Sequence, residues 1–160
     1  MNLRSIFVTL LMLLLGTAVL AQDDDKEEET KKTPAMREKV YAILSEAQVL
    51  LEEEENPPEA LKKLGQIERM KDLNTYEQAQ LYTFYGFVYF TQENFAAAVR
   101  SYERVLETDP PEALANQTLY TLAQLSFVTE NYSAAVGYLD RWFEKAQNPG
   151  PQPYILLCQG

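Results

Sequence analysis

The fold is decided by residues 82–110, which read YTFYGFVYFTQENFAAAVRSYERVLETDP. Apolar and aromatic side chains recur at i, i+3, i+4 and i+7 at the start of this stretch and again after Asn94, which is the spacing of one helix face. The polar residues up to Asn94 interrupt the pattern, and Pro110 ends it because proline lacks the N–H that a helix interior needs. The stretch therefore predicts two antiparallel helices joined by a tight turn.

Small and aromatic residues alternate along this stretch. Gly86 and Ala98 stand where the two helices must approach, while Tyr89 and Tyr102 fill the space between layers. This order resembles the tetratricopeptide repeat (TPR), a helix–turn–helix unit of about 34 residues. Tyr85 departs from the family, in which leucine is usual at that place. The family's pattern falls here on Tyr82, Tyr85, Gly86, Tyr89, Ala98, Tyr102 and Pro110, and its turn falls on Asn94-Phe95.

The same pattern recurs on both sides of this unit. Six positions recur 37 residues later, beginning with Gly86 and Ala123 (123 − 86), and four recur 38 residues earlier, beginning with Gln48 (86 − 48). The resemblance implies an all-α fold, a right-handed α-solenoid of about three helix pairs over residues 34–160. Its repeats are expected at 37–72, 75–110 and 112–147, with part of a fourth at 151–160. The helices outside the central pair are predicted over 36–51, 59–70, 111–129 and 132–146.

The last residues, Tyr154 to Gly160, resemble the opening of another first helix. Because a stack of repeats needs a polar cap, we expect the natural chain to continue beyond Gly160 or the sequence to be a fragment. Cys158 is the only cysteine, which excludes an internal disulfide. A small residue at a helix–helix contact is the expected role of Cys158, and an intermolecular disulfide is the alternative.

The N-terminal part of the sequence differs from the rest. Residues 1–21 combine a short basic start, an apolar run and the ending Val19-Leu20-Ala21, which predicts a cleaved signal peptide. The alternative is an uncleaved membrane anchor, although the apolar run is short for a span of about 20 residues. Residues 22–33 are polar and rich in acidic side chains, which predicts a disordered tether, and Thr33-Pro34 predicts a helix start. We therefore expect an exported, periplasmic protein.

Several kinds of chemistry are missing from the sequence. There is no histidine, which removes the usual general base and the usual zinc ligand. The 6 glycines are scattered, so there is no glycine-rich phosphate-binding loop. The net charge of −10 disfavours nucleic acid and anionic membrane surfaces as partners. We therefore expect a protein that is not an enzyme, holds no cofactor and no metal, and binds no nucleic acid.

Stacked repeats curve, and their first helices line the inside of the curve. Residues of those helices that point away from the repeat core are therefore candidates for a partner-binding groove. Aromatic rings there would give contact area, and amides would pair with a peptide backbone. The alternative is that Phe87, Phe90 and Phe127 pack repeat on repeat. The candidate groove residues are Gln80, Thr83, Phe87, Phe90, Thr91, Gln117, Tyr120, Gln124 and Phe127.

The N-terminal segments and the repeats together resemble the exported TPR proteins associated with TonB-type energy-transducing systems of Gram-negative bacteria. That resemblance implies a periplasmic accessory of iron-complex uptake, in association with an inner-membrane complex. The first function hypothesis is an adaptor that holds a protein or peptide partner in the groove. The second is a structural protein of an envelope or secretion complex that self-associates through its open C-terminal end.

Overall fold

Helices account for all the regular structure in the part of the chain that the computed structural model describes, which is residues 35–53, 55–145, 153–154 and 158. The all-α class expected from the sequence is therefore confirmed for this part. All of it belongs to one unit of the chain, Lys32–Gly160. Six helices have both ends there: α1 Glu38–Glu52, α2 Pro57–Glu68, α3 Thr75–Thr91, α4 Phe95–Glu107, α5 Glu112–Val128 and α6 Tyr132–Phe143.

The segments expected to be a signal peptide (1–21) and a tether (22–33) lie outside the described residues, as does most of the partial fourth repeat at 151–160. All three assignments stay predictions. Among the helices that are described, none has both the length and the apolar character needed to cross a membrane.

The helix starts follow the spacing of the sequence pattern. α5 begins 37 residues after α3 (112 − 75), and α6 begins 37 residues after α4 (132 − 95). α1 and α2 begin 37 and 38 residues before α3 and α4 (75 − 38 and 95 − 57), so the upstream copy keeps the spacing to within one residue. α1 starts later than Thr33-Pro34 predicts, because Arg37 is still extended, with φ −66° and ψ 139°. The Arg37 N–H donates to the Glu77 carboxylate at 2.9 Å, which holds this residue as the N-cap.

Consecutive helices pair in antiparallel fashion. In α3 and α4, the Arg104 guanidinium lies 4.0 Å from the centre of the Tyr82 ring, and nearer the turn the rings of Phe90 and Phe95 lie 6.0 Å apart. Residues late in α3 thus meet residues early in α4, as an antiparallel hairpin requires. The same order is found between α5 and α6, where the ring pairs are Tyr120–Trp142 at 5.6 Å and Phe127–Tyr132 at 5.7 Å.

Side chains also join one helix pair to the next. Arg37, just before α1, binds Glu77 in the first turn of α3, with Nε–Oε1 and Nη2–Oε2 both at 2.8 Å. The Tyr138 hydroxyl of α6 donates to the Glu103 carboxylate of α4 at 2.7 Å. The start of α1 therefore meets α3, and α4 meets α6.

One asparagine both ends α3 and begins α4. The Glu93 and Asn94 N–H groups donate back to carbonyls in the last turn of α3, both at 2.9 Å, which is a Schellman motif. The Asn94 side chain then accepts from the Ala97 N–H at 3.2 Å as the N-cap of α4. The turn between α5 and α6 repeats each of these bonds 37 residues later (131 − 94), through Glu130 and Asn131.

Acidic side chains occupy all the described positions with a positive φ. A left-handed backbone is unfavourable for an L-residue by about 1–2 kcal/mol, and a negative charge at a helix C-terminus opposes the helix dipole. We therefore expect Glu93→Gly to raise the free energy of unfolding, measured in urea, by about 1 kcal/mol. The positions concerned are Glu55, Asp72, Glu93, Asp109 and Glu130.

The matched control for this change is Gln92→Gly, at the preceding residue. Gln92 has a φ of −87°, so glycine relieves no strain there. We expect this variant to lose up to about 1 kcal/mol through the added freedom of the unfolded chain. Equal losses in Glu93→Gly and Gln92→Gly would show that the left-handed angle is not what limits stability.

One cluster of buried apolar side chains joins α1, α2 and α3. α3 is buried on nearly all sides, because Leu81, Phe84 and Val88 join a cluster with α1 and α2, while Gly86 faces an aromatic ring of α4. A helix that is apolar all round is one that other elements surround. Residues 81–91 contain no charged side chain, so the sequence itself carries this pattern.

Candidate functional site

The α3 half of the predicted groove is buried. Thr91 is half-buried, and the other four residues are nearly inaccessible. In this conformation they offer a partner almost no surface, because the helix that carries them is surrounded. Burial alone does not test whether they bind, so their role stays a prediction. Exposed fractions of 5 to 8% are found for Gln80, Thr83, Phe87 and Phe90.

The α5 half of the predicted groove is more open. The rings of Tyr120 and Phe127 pack against Trp142 and Tyr132 of α6, so α6 fixes their orientation while part of each ring stays accessible. Burial raises the pKa of Tyr120, so its hydroxyl stays protonated at neutral pH and can donate a hydrogen bond. Half-burial is shared by the four predicted residues of this helix, Gln117, Tyr120, Gln124 and Phe127.

Two amide oxygens on α5 are buried without a hydrogen-bond donor. They are Asn116 Oδ1 and Gln124 Oε1, and no group in the described part of the chain donates to either. The two residues are about 12 Å apart along the helix axis, and Tyr120 lies between them on the same side. The two residues are half-buried as a whole, although these oxygens themselves are buried. An acceptor left unpaired in a fold costs about 1–3 kcal/mol, and such exceptions are typical of functional positions.

Asn116 is not among the residues that the sequence singled out. Its position is nevertheless unusual, because asparagine is a poor helix former and favours caps and turns, whereas Asn116 lies inside α5. The accessible surface of α5 also extends past Phe127 to the turn between α5 and α6. There, Val128 and Tyr132 are 46% and 44% exposed, which is high for large apolar side chains.

A separate cleft of about 340 Å³ opens where α2 meets α3. α2 ends at Glu68, one residue short of the position that corresponds to the end of α4 (107 − 38 = 69). The lining residues are Glu68, Met70, Asp72, Leu73, Gln78, Leu81 and Tyr82.

Two tyrosines of α4 and α6 have raised pKa values. Burial raises the pKa of Tyr102, and burial together with the Glu103 hydrogen bond raises the pKa of Tyr138 to about 12, so both stay protonated at neutral pH. Within the described ranges, no group of three or more Cys, Asp or Glu side chains is placed to hold a metal ion.

Cys158 corrects one expectation from the sequence. Its N–H donates to the Tyr154 carbonyl at 3.1 Å. Its side chain is exposed and forms no disulfide. Among the described residues, Cys158 therefore does not lie at the helix–helix contact that the sequence predicts.

Comparisons with known proteins give no match: none is found among family models, curated proteins or solved structures. The resemblance to TPR proteins therefore rests on the residue pattern, and the helix starts share its 37-residue spacing. The function of the chain is therefore inferred from its own surfaces.

Proposed function

We propose that the chain is a TPR-like, non-enzymatic interaction module that binds an extended segment of a protein partner along α5. The sequence of residues 1–33 supports a further proposal, that the module works in the periplasm as an accessory of a TonB-type transport system. The observation that carries the binding proposal is the pair of unpaired amide oxygens on Asn116 and Gln124.

The spacing of the two amides suits an extended peptide. N–H groups on one edge of such a peptide recur every two residues, about 6.7 Å, so four residues cover about 13 Å. The amides of Asn116 and Gln124 are about 12 Å apart along α5, and each accepts one backbone N–H in the proposed complex. Tyr120, between them, contacts a side chain of the partner. Backbone bonding gives affinity in this arrangement, and the aromatic contacts select the sequence.

Replacing both amides with apolar side chains of similar size separates binding from stability. The variant Asn116→Leu/Gln124→Met removes two unpaired acceptors, so we expect the free energy of unfolding in urea to rise by about 1–2 kcal/mol. The same variant loses two hydrogen bonds to the partner. We therefore expect its affinity for peptides selected on the wild type from a displayed random library to fall about tenfold or more. Fluorescence anisotropy with labelled peptides measures that affinity.

Gln48→Met is the matched control, because the Gln48 amide already donates to the Glu52 carboxylate at 3.0 Å. This variant should lose about 0.5–1 kcal/mol of stability and keep its affinity for the selected peptides. The proposal fails if the wild type selects no peptide, or if Asn116→Leu/Gln124→Met binds as tightly as the wild type. Light scattering checks the alternative function, since a mass that grows with concentration would indicate self-association rather than an adaptor.

A further inference from the structure

The cleft between α2 and α3 lies apart from the α5 surface. We propose that this cleft takes the side chain of a lysine or arginine that projects from a partner protein. The proposal does not depend on peptide binding along α5, because the two surfaces share no residue. Each can therefore fail without the other.

The cleft combines an apolar floor with an acidic rim. The floor is formed by Leu81, which is 1% exposed, and by the half-buried Met70 and Leu73. The rim carries the exposed carboxylates of Glu68 and Asp72. Lysine and arginine have an alkyl stem that packs on apolar surface and a charged head that stays near water. This combination matches both parts of the cleft, whereas a wholly apolar side chain matches only the floor.

The rim carboxylates keep their negative charge available. Glu68 accepts a hydrogen bond from the Tyr85 hydroxyl at 3.2 Å, and a neutral donor leaves its charge in place. Asp72 takes part in none of the ion pairs found among the described residues, and its electrostatic attraction to Arg37 is weaker than the contacts of Arg37 with Glu77. Two carboxylates outside these ion pairs beside one small cleft favour a positive ligand, and the net charge of −10 attracts it from a distance.

Three arginines near the cleft make their shortest contacts with groups outside its acidic rim. Arg37 is held by the buried carboxylate in the first turn of α3. Arg69 turns back along α2 and donates to a backbone carbonyl at 2.8 Å. Arg104 lies over the ring of Tyr82, to whose hydroxyl it also donates a bond at 2.5 Å. None of the three forms an ion pair with Glu68 or Asp72 in the part of the chain that the structure describes.

The test is a titration of the full chain with three capped tripeptides, Gly-Lys-Gly, Gly-Arg-Gly and Gly-norleucine-Gly, followed by methyl NMR. We expect the lysine and arginine peptides to shift the methyl signals of Met70, Leu73 and Leu81, with dissociation constants in the millimolar range. The norleucine peptide keeps the stem and lacks the charge, so we expect it to bind at least about fivefold more weakly. Equal binding of the norleucine peptide would overturn the proposal, as would shifts that do not localise at the cleft.

A pair of charge variants separates the cleft from general attraction to an acidic protein. Glu68→Gln/Asp72→Asn removes the rim charges and should weaken the lysine peptide about fivefold. Glu107→Gln/Glu112→Gln removes two exposed charges at the next junction, between α4 and α5, and should leave the affinity unchanged. If the two variants weaken binding equally, the attraction is not a property of the cleft and the proposal is wrong.

Discussion

Replacing Gly86 with alanine is expected to lower the free energy of unfolding by about 3 kcal/mol. A Cβ at this position would lie 2.7 Å from Cε2 and 2.8 Å from Cζ of the Tyr102 ring, closer than two carbon atoms normally approach. Tyr102 is only 6% exposed, so its ring has little space to move into. Overpacking a core costs about 1–3 kcal/mol, and a rigid ring against a helix backbone places this case at the upper end. Urea denaturation of Gly86→Ala measures the loss.

Gly137→Ala is the control for helix propensity. No atom lies within 4 Å of a Cβ at Gly137, so alanine should stabilise α6 by about 0.5–1 kcal/mol. Opposite signs for Gly86→Ala and Gly137→Ala would isolate the contact with Tyr102, since both glycines lie inside helices.

A later residue pair in the chain suggests how the stability lost in Gly86→Ala can be restored. Ala123 and Leu139, both 0% exposed, stand 37 residues after Gly86 and Tyr102 (123 − 86 and 139 − 102). The double variant Gly86→Ala/Tyr102→Leu copies this later pair. We expect it to be at least about 1 kcal/mol more stable than the sum of its two single changes. An additive result would mean that the loss in Gly86→Ala does not come from the Tyr102 ring.

Replacing Glu77 with glutamine is expected to lower the free energy of unfolding by about 2–3 kcal/mol. The Glu77 carboxylate is fully buried and binds the Arg37 side chain through both oxygens. It also accepts from the Arg37 N–H at 2.9 Å and the Asn74 N–H at 3.0 Å, which caps α1 and completes the capping box of α3. Glutamine has one acceptor oxygen instead of two. Glu59→Gln is the control, because the exposed Glu59–Lys62 pair should contribute less than about 0.5 kcal/mol.

Lowering the pH should remove the ionic interaction between Glu77 and Arg37. The hydrogen bonds from Arg37 lower the pKa of Glu77 from 4.5 to about 2, against the opposing effect of burial. Because the folded pKa lies below the unfolded pKa, the stabilisation is present above pH 4.5 and is lost as the pH falls towards 2. Its size is at most about 3 kcal/mol, and the 45% exposure of Arg37 reduces it to about 2 kcal/mol. The stability difference between the wild type and Glu77→Gln should therefore shrink on acidification, and a constant difference would contradict this account.

Helix positions could be predicted from the sequence because their determinants are local. Asn94 and Asn131 each combine a turn signal with an N-cap, and the pattern around them repeats at a fixed spacing. The burial of the α3 groove residues could not be predicted in the same way. An aromatic run without charges shows that several faces are apolar, but it does not show which face another helix covers. Tyr82, Tyr85 and Tyr89 carry the family's pattern and are only half-buried, while Phe87 is buried.

The ion pair and the unpaired amides could not be predicted because they depend on contacts between residues that are distant in sequence. Arg37 and Glu77 are 40 residues apart, and neither has a neighbour in sequence that marks it as half of a buried ion pair. The same holds for the amides of Asn116 and Gln124. Whether a polar atom is paired depends on every group that surrounds it in space, so an unpaired acceptor becomes visible only in three dimensions.

In the turn between α3 and α4, Asn94 both closes α3 and caps α4, so the length of this turn is fixed. One residue gained or lost between α3 and α4 would remove the Schellman bonds and the cap of Asn94 together, and would rotate one helix by about 100° against the other. The connections between hairpins are less constrained, since residues 69–74 join α2 to α3 and the shorter segment 108–111 joins α4 to α5. Insertions and deletions during evolution should therefore be rare in the α3–α4 and α5–α6 turns, and each of these two hairpins should be inherited as a block of fixed length.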